Sequence, residues 1–193
     1  MIELVFATNN QNKLKEVQAL MPLHIKLLSL KEIGCVEDIP ETQDSIEGNA
    51  IQKIEFIKEN YGYDGFADDT GLEVNALDGR PGVYSARYAG QQRDANDNMD
   101  KLIDELKDKQ DHSGHFKTVI ALMFNNRLHT FTGLCEGTIL NTRRGTGGFG
   151  YDPIFQPIGY EQTFAEMPLQ LKNEIGHRGK AIMKLIQFLK SNE

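Results

Sequence analysis

The chain has 193 residues, 39% of them apolar, a formal net charge of −7 and two cysteines. That length fits one domain, or one domain of two lobes, with enough apolar content for a sizeable core. The acidic balance excludes a general nucleic-acid binder, which would show a basic face. It leaves room for a nucleotide substrate, which needs only a local basic patch.

Cys35 and Cys135 lie in unrelated contexts without metal-ligand spacing, so free thiols in a reducing compartment are expected. The first six residues carry no basic region, and their apolar run is too short for a signal peptide. No stretch approaches the roughly 20 apolar residues of a membrane span. A cytoplasmic protein without a membrane partner is expected.

Residues 2–7 form a nearly continuous apolar run, as in a strand covered on both faces. A polar turn follows at Thr8, Asn9, Asn10, Gln11, Asn12 and Lys13. Leu14, Val17, Leu20 and Met21 then recur at helical spacing until Pro22. Backbone N–H groups at such a helix start, with Lys13 beside them, suit an anion. Ordinary capping by Asn or Thr explains the same residues.

Residues 24–30 read as a second strand and residues 37–44 as an acidic loop that includes Glu41. The next helix starts near Asp44 or Ser45, with Ile46, Ala50, Ile54 and Ile57 as its apolar stripe. Residues 65–72, Gly-Phe-Ala-Asp-Asp-Thr-Gly-Leu, bring an apolar approach into the adjacent carboxylates Asp68 and Asp69. Two neighbouring carboxylates at a strand end call for a shared cation or proton, so a Mg²⁺-binding strand end is expected, with a surface Asp-Asp turn as the alternative. A short separate strand is expected at residues 72–74.

Residues 94–107 read as a polar helix with Leu102, Ile103 and Leu106 on its apolar side. Residues 115–124 and 127–135 flank Asn125-Asn126, a two-residue hairpin signal, and a further strand is expected at 136–140. A Gly-rich loop over 143–153 holds Phe149, Gly150, Tyr151 and Asp152. A last helix carries Ile182, Leu185, Ile186 and Leu189. The mixture of helices, strands and a hairpin predicts an α/β fold with a mixed sheet.

Several motifs mislead. Residues 145–150 match G-x-G-x-x-G, but Pro153 follows and no long helix starts there, so the dinucleotide reading fails on context. Asp69-Thr70-Gly71 occurs once, whereas aspartic peptidases pair two such carboxylates, so a peptidase would have to be a dimer. No phosphate-loop sequence and no zinc-type histidine pairing is present.

Taken together, donors at residues 8–13, in the Gly-rich loop, at Lys172 and at His177-Arg178 accompany carboxylates at Glu41, Asp68 and Asp69. Phe149 and Tyr151 offer rings for stacking. These are the parts needed for a Mg-bound nucleoside triphosphate.

The pieces Ala7-Thr8-Asn9-Asn10-x-x-Lys13, Glu41-Thr42, residues 67–72, residues 81–88, residues 145–153, residues 164–167, Lys172-Asn173 and residues 177–181 span nearly the whole chain in order. In them the chain resembles the inosine/xanthosine triphosphate pyrophosphatase family. One departure is Gly176, where members usually carry Ser before His-Arg.

The resemblance implies Mg²⁺-dependent hydrolysis of ITP, dITP or XTP to the monophosphate and pyrophosphate. It implies a homodimer and a single two-lobed domain over 1–193, with an elongated mixed sheet, flanking helices and the active-site cleft between the lobes. Residues 8–13 would hold the phosphates. Glu41, Asp68 and Asp69 would serve the metal, with Asp69 as proton acceptor. Thr70, Phe149, Gly150, Tyr151, Asp152 and Lys172 would contact the nucleotide, and His177 and Arg178 would face the base. A catalytically silent nucleotide sensor and a dimeric aspartic peptidase are the competing readings.

Overall fold

The computed structural model describes residues 2–192. Its seven strands are β1 (Ile2–Phe6), β2 (Ile25–Leu28), β3 (Gly65–Val74), β4 (Pro81–Gly82), β5 (Ser113–Phe124), β6 (Arg127–Ile139) and β7 (Phe155–Pro157). Its five α-helices are α1 (Gln11–Gln18), α2 (Ile46–Tyr61), α3 (Ala95–Leu106), α4 (Leu169–Ile175) and α5 (His177–Lys190). The strands form one sheet in the order β2-β1-β3-β5-β6-β7, with β4 paired to β3. β1 runs parallel to β2 and to β3, whereas β4 and β7 pair antiparallel with β3 and β6, so the sheet is mixed, as predicted.

Local sequence explains the helix starts. Asn10 accepts from the backbone N–H groups of Asn12 and Lys13, Ser45 from that of Gly48, and Asp94 from those of Asn96 and Asp97. The end of α2 is set by Gly62, which takes the left-handed conformation that closes helices. Asn125 and Asn126 both adopt positive φ (50° and 59°), as a tight hairpin between β5 and β6 requires.

Two expectations are corrected. The strand through Asp68 and Asp69 does not end there: β3 continues to Val74 and absorbs the separate strand expected at 72–74. Successive strand side chains point to opposite faces, so the two carboxylates diverge. Likewise β6 runs through to Ile139 and takes in most of the strand expected at 136–140.

The chain divides into two compact units, one of residues 1–69, 118–133 and 178–193, the other of residues 70–117 and 134–177. The first has a core that includes Leu4, Phe6, Phe66, Ile120, Leu185 and Leu189, with the Phe6 and Phe66 rings stacked at 4.7 Å. In the second, Leu72, Leu102, Phe116, Phe155 and Phe164 are central. Among the described residues no helix is long and apolar enough to cross a membrane.

Candidate active site

A charged cluster lies inside the first unit. Asp68 is 1% exposed and carries two cations, Lys13 Nζ at 2.9 Å from Oδ1 and Arg178 Nε at 3.0 Å from Oδ2. Arg178, itself buried, also pairs with the buried Glu16 through a short contact. Burial alone would push the Asp68 carboxyl up. Lys13, Arg178 and Lys53 together outweigh it and hold Asp68 well below the usual carboxylate range. Asp68 is therefore a permanent anion that fixes its two cations.

Asp69 has different company. Lys53, from α2, places its ammonium 3.7 Å from Asp69 Oδ1, 2.6 Å from Glu41 Oε1 and 2.8 Å from the Asp68 backbone oxygen. Asn49 Nδ2 donates to Asp69 Oδ2 at 3.4 Å. Burial pushes the Asp69 carboxyl up; Lys53 and Lys13 pull against it, but Glu41 and Asp68 add repulsion, and the net shift is upward. Lys53 is depressed by burial, yet Asp69, Glu41 and Asp68 more than restore it, and it stays charged.

Glu41 and Asp69 thus bracket one cation-filled position. Their oxygens form a hard donor set that fits Mg²⁺, which is commonly held by one or two carboxylates and completed by substrate phosphates and water. Among the described residues no three His, Cys, Asp or Glu side chains gather as a ready-made metal cage. Asp68 pairs with Lys13 and Arg178, whereas Glu41 and Asp69 both lie beside the Lys53 ammonium.

The turn at residues 8–13 behaves largely as a cap. Thr8 Oγ1 accepts from the Asn10 N–H, and Asn10 Oδ1 takes the Asn12 and Lys13 N–H groups. Those donors are engaged, which leaves the exposed side chains of Asn9, Asn10, Gln11 and Asn12 and the half-buried Lys13 ammonium to meet an anion.

The second unit holds the remaining expected residues. Thr70 follows in β3 and is half-buried. Asp152 is the hub: its Oδ2 accepts from Lys172 Nζ at 2.6 Å and from the Phe149 N–H at 2.7 Å. Lys172 lies 4.9 Å from the centre of the Phe149 ring. Phe149 and Gly150 are half-buried, whereas Tyr151 is buried and donates its hydroxyl to the Ser85 carbonyl. His177 is buried, stacked on Phe116 at 4.5 Å.

The residues expected to face a base are therefore enclosed side chains, and Arg178 is an ion-pair partner of Asp68. Gly176 has a steric reason. A Cβ there would lie 2.4 Å from the Lys172 carbonyl, which accepts the Gly176 N–H at 2.8 Å, so α4 closes tightly enough to exclude a side chain.

A family model described as the Ham1 family matches residues 4–188. This chain belongs to the Ham1 family. Relatives include a protein of Flavobacterium psychrophilum named dITP/XTP pyrophosphatase, 58% identical over 98% of this chain and 100% of its own length. A protein of the same name from Porphyromonas gingivalis is 50% identical over 98% of each chain. The solved structure of a HAM1 protein from Coxiella burnetii superposes with a TM-score of 0.91 at 40% identity, covering 99% of this chain and 100% of that one.

Within this Ham1 chain, sequence reasoning missed Lys53 and Glu16. A single Lys or Glu on a helix reads as solvent-facing. For Lys53 the available signal was its place one turn after Asn49, on a polar stripe bordering the apolar face of α2.

Proposed function

We propose that this protein hydrolyses non-standard purine nucleoside triphosphates, ITP, dITP or XTP, to the monophosphate and pyrophosphate in a Mg²⁺-dependent reaction. Full-length similarity to proteins named dITP/XTP pyrophosphatase supports the substrate class. The observation that carries the chemistry is the pair Glu41 and Asp69 on one cation position beside Lys13 and Lys53.

In this reading Glu41 and Asp69 hold the metal, which when bound supplies counter-charge to the phosphates and acidifies a water. Asp69 orients the attacking water and accepts its proton. Lys13 neutralises charge on the departing pyrophosphate, and the amide side chains of residues 9–12 position the phosphates. Lys53 spaces Glu41 from Asp69 before substrate arrives. Arg178 holds Asp68, and Asp68 holds Lys13.

Phe149 offers a ring face to the purine, with Lys172 over the ring and Asp152 holding the Phe149 backbone N–H. Thr70, Gly150 and the His177 segment complete the nucleoside contacts, with Tyr151 as their support. A donor set matched to the C6 oxygen of hypoxanthine or xanthine would be left unpaired by adenine, which can discriminate by about 10⁴ or more. A cytoplasmic homodimer acting on free nucleotides, without a nucleic-acid polymer, completes the reading.

The test is incubation with dITP, XTP, ATP and GTP, with Mg²⁺ or with EDTA, and identification of the products. Pyrophosphate from dITP or XTP with Mg²⁺ alone is expected. Orthophosphate, or turnover insensitive to EDTA, would reject the mechanism.

A further inference from the structure

Glu41 lies in the long connection between β2 and α2, where no α-helix or strand is found from residue 29 to residue 45. Connections longer than about 12–15 residues without regular structure are uncommon in compact domains. A carboxylate on such a segment is useful only if something fixes its distance to Asp69.

The polar face of α2 supplies that restraint. Three successive residues of the connection are each gripped by one side chain of the helix. Lys53 Nζ donates to Glu41 Oε1 at 2.6 Å. Gln52 engages Thr42 twice, accepting its N–H at 2.9 Å and donating to its Oγ1 at 2.8 Å. Asn49 accepts the Gln43 N–H at 2.9 Å and turns its amide nitrogen toward Asp69 Oδ2. Helix positions 49, 52 and 53 share one face by the i, i+3, i+4 rule, so the grip follows from α2 being helical.

Gly48 completes the fit. A Cβ there would lie 2.8 Å from Gln43 Cβ and 2.9 Å from Ser45 Oγ, so the missing side chain is what lets the segment lie against the helix. Through Asn49 the same amide ties the Glu41 segment to the Asp69 strand, although the two carboxylates are far apart in sequence.

We propose that Asn49 and Gln52 are positioning residues that fasten residues 42–43 to α2 and thereby set Glu41 against Asp69 for metal capture; this rests on the metal role assigned above to that pair. Groups that orient metal ligands from behind change metal affinity or activity by about 10–100-fold when removed. Gln52 suits the test because its bonds to Thr42 lie outside the reacting groups.

The experiment titrates Mn²⁺, read by electron paramagnetic resonance, into the full-length wild type, Gln52→Leu and Thr42→Ala, each with and without inorganic pyrophosphate. Thermal melting is followed in parallel. Mn²⁺ affinity about 10-fold weaker is expected in Gln52→Leu, which loses both bonds, and a smaller loss in Thr42→Ala, which keeps its N–H bond to Gln52; the variant carrying both changes should lose no more than Gln52→Leu. The Mg²⁺ concentration for half-maximal dITP turnover should rise likewise, while KM for dITP at saturating Mg²⁺ stays within about twofold.

Unchanged Mn²⁺ affinity in Gln52→Leu and Thr42→Ala would overturn the proposal, as would losses that add in the double variant. So would a turnover defect that excess Mg²⁺ does not relieve, because that marks a merely structural role. If the wild type bound Mn²⁺ in neither arm, the site itself would fall. If it bound Mn²⁺ yet released no pyrophosphate from dITP, the functional reading would fail, and the Mn²⁺ comparison would still decide the clamp.

Discussion

Lys13 Nζ donates to Asp68 Oδ1 at 2.9 Å, on the side of the carboxylate opposite to Arg178, and Asp68 is almost wholly withdrawn from water. An anion between two cations at that depth is a structural element first. Asp68→Asn replaces it with an amide and leaves Lys13 and Arg178 facing a neutral group. Breaking a buried pair by removing one partner costs about 3–5 kcal/mol, and a loss of that order is expected in urea unfolding. A variant as stable as wild type would remove Asp68 from this role.

The neighbouring carboxylate should behave in the opposite way. Asp69 is half-buried and its surroundings raise its proton affinity, so Asp69→Asn should cost little stability. Its loss as proton acceptor should lower kcat for dITP by about 10² or more, at saturating Mg²⁺. Circular dichroism and urea unfolding at wild-type values alongside that loss would separate the two adjacent residues. Near-normal kcat would remove Asp69 from the base role.

Much of the architecture was legible because its signals are local. The stripe Ile46, Ala50, Ile54 and Ile57 fixed α2, and all four are buried. Asn125-Asn126 fixed the hairpin because positive φ at both positions favours asparagine. The seven-residue α4 escaped, having Pro168 before it and too few apolar positions to show a period. The site was legible as a list of residues, not as contacts. Adjacent letters did not show that Asp68 pairs with Lys13 and Arg178 while Asp69 lies beside Lys53 and Asn49. Lys53 acquires meaning only when α2 sets it between Glu41 and Asp69.

Gly176 gives a prediction in which adding one carbon is the whole perturbation. The backbone there is ordinary, at φ −76° and ψ 161°, so a substituted residue suffers no torsional penalty. The Lys172 carbonyl at 2.4 Å from the Cβ position must move. Gly176→Ala should destabilise the protein by about 1–3 kcal/mol, the usual cost of overpacking. Gly176→Ser should cost a similar amount. An unchanged melting temperature in either variant would show that α4 yields freely.

Glu166 supplies the pH-dependent case. Its carboxylate accepts the Thr163 N–H at 2.8 Å and pairs with Arg144 at 2.9 Å, tying the Gly-rich loop to residues 163–166. The Thr163 N–H, with help from Arg144, holds this carboxyl below its ordinary value against the opposing effect of burial. A carboxyl whose proton affinity is lower in the folded state binds fewer protons there than in the unfolded chain. The stability it contributes is therefore present above the usual carboxylate range and lost as pH falls through and below it. Glu166→Gln should be less stable than wild type at neutral pH and converge with it in acid. Parallel stability curves over the whole range would contradict this.

The last prediction concerns Asp152, which holds Lys172 and the Phe149 backbone with one oxygen atom. Both it and Lys172 are buried, so Asp152→Ala leaves an ammonium without its carboxylate and frees the loop that carries the Phe149 ring. Two effects should appear together. Stability should fall by about 3–5 kcal/mol, as for other broken buried pairs. KM for dITP should rise more than kcat falls, because Phe149 and Lys172 are assigned to binding the nucleoside and not to the reacting phosphates. Lys172→Met leaves the buried Asp152 carboxylate without its ammonium, so it should reproduce the rise in KM at a comparable cost in stability. If kcat collapsed in Lys172→Met while KM stayed fixed, Lys172 would belong with the phosphates, and the division of labour between Asp152 and Asp69 would have to be redrawn.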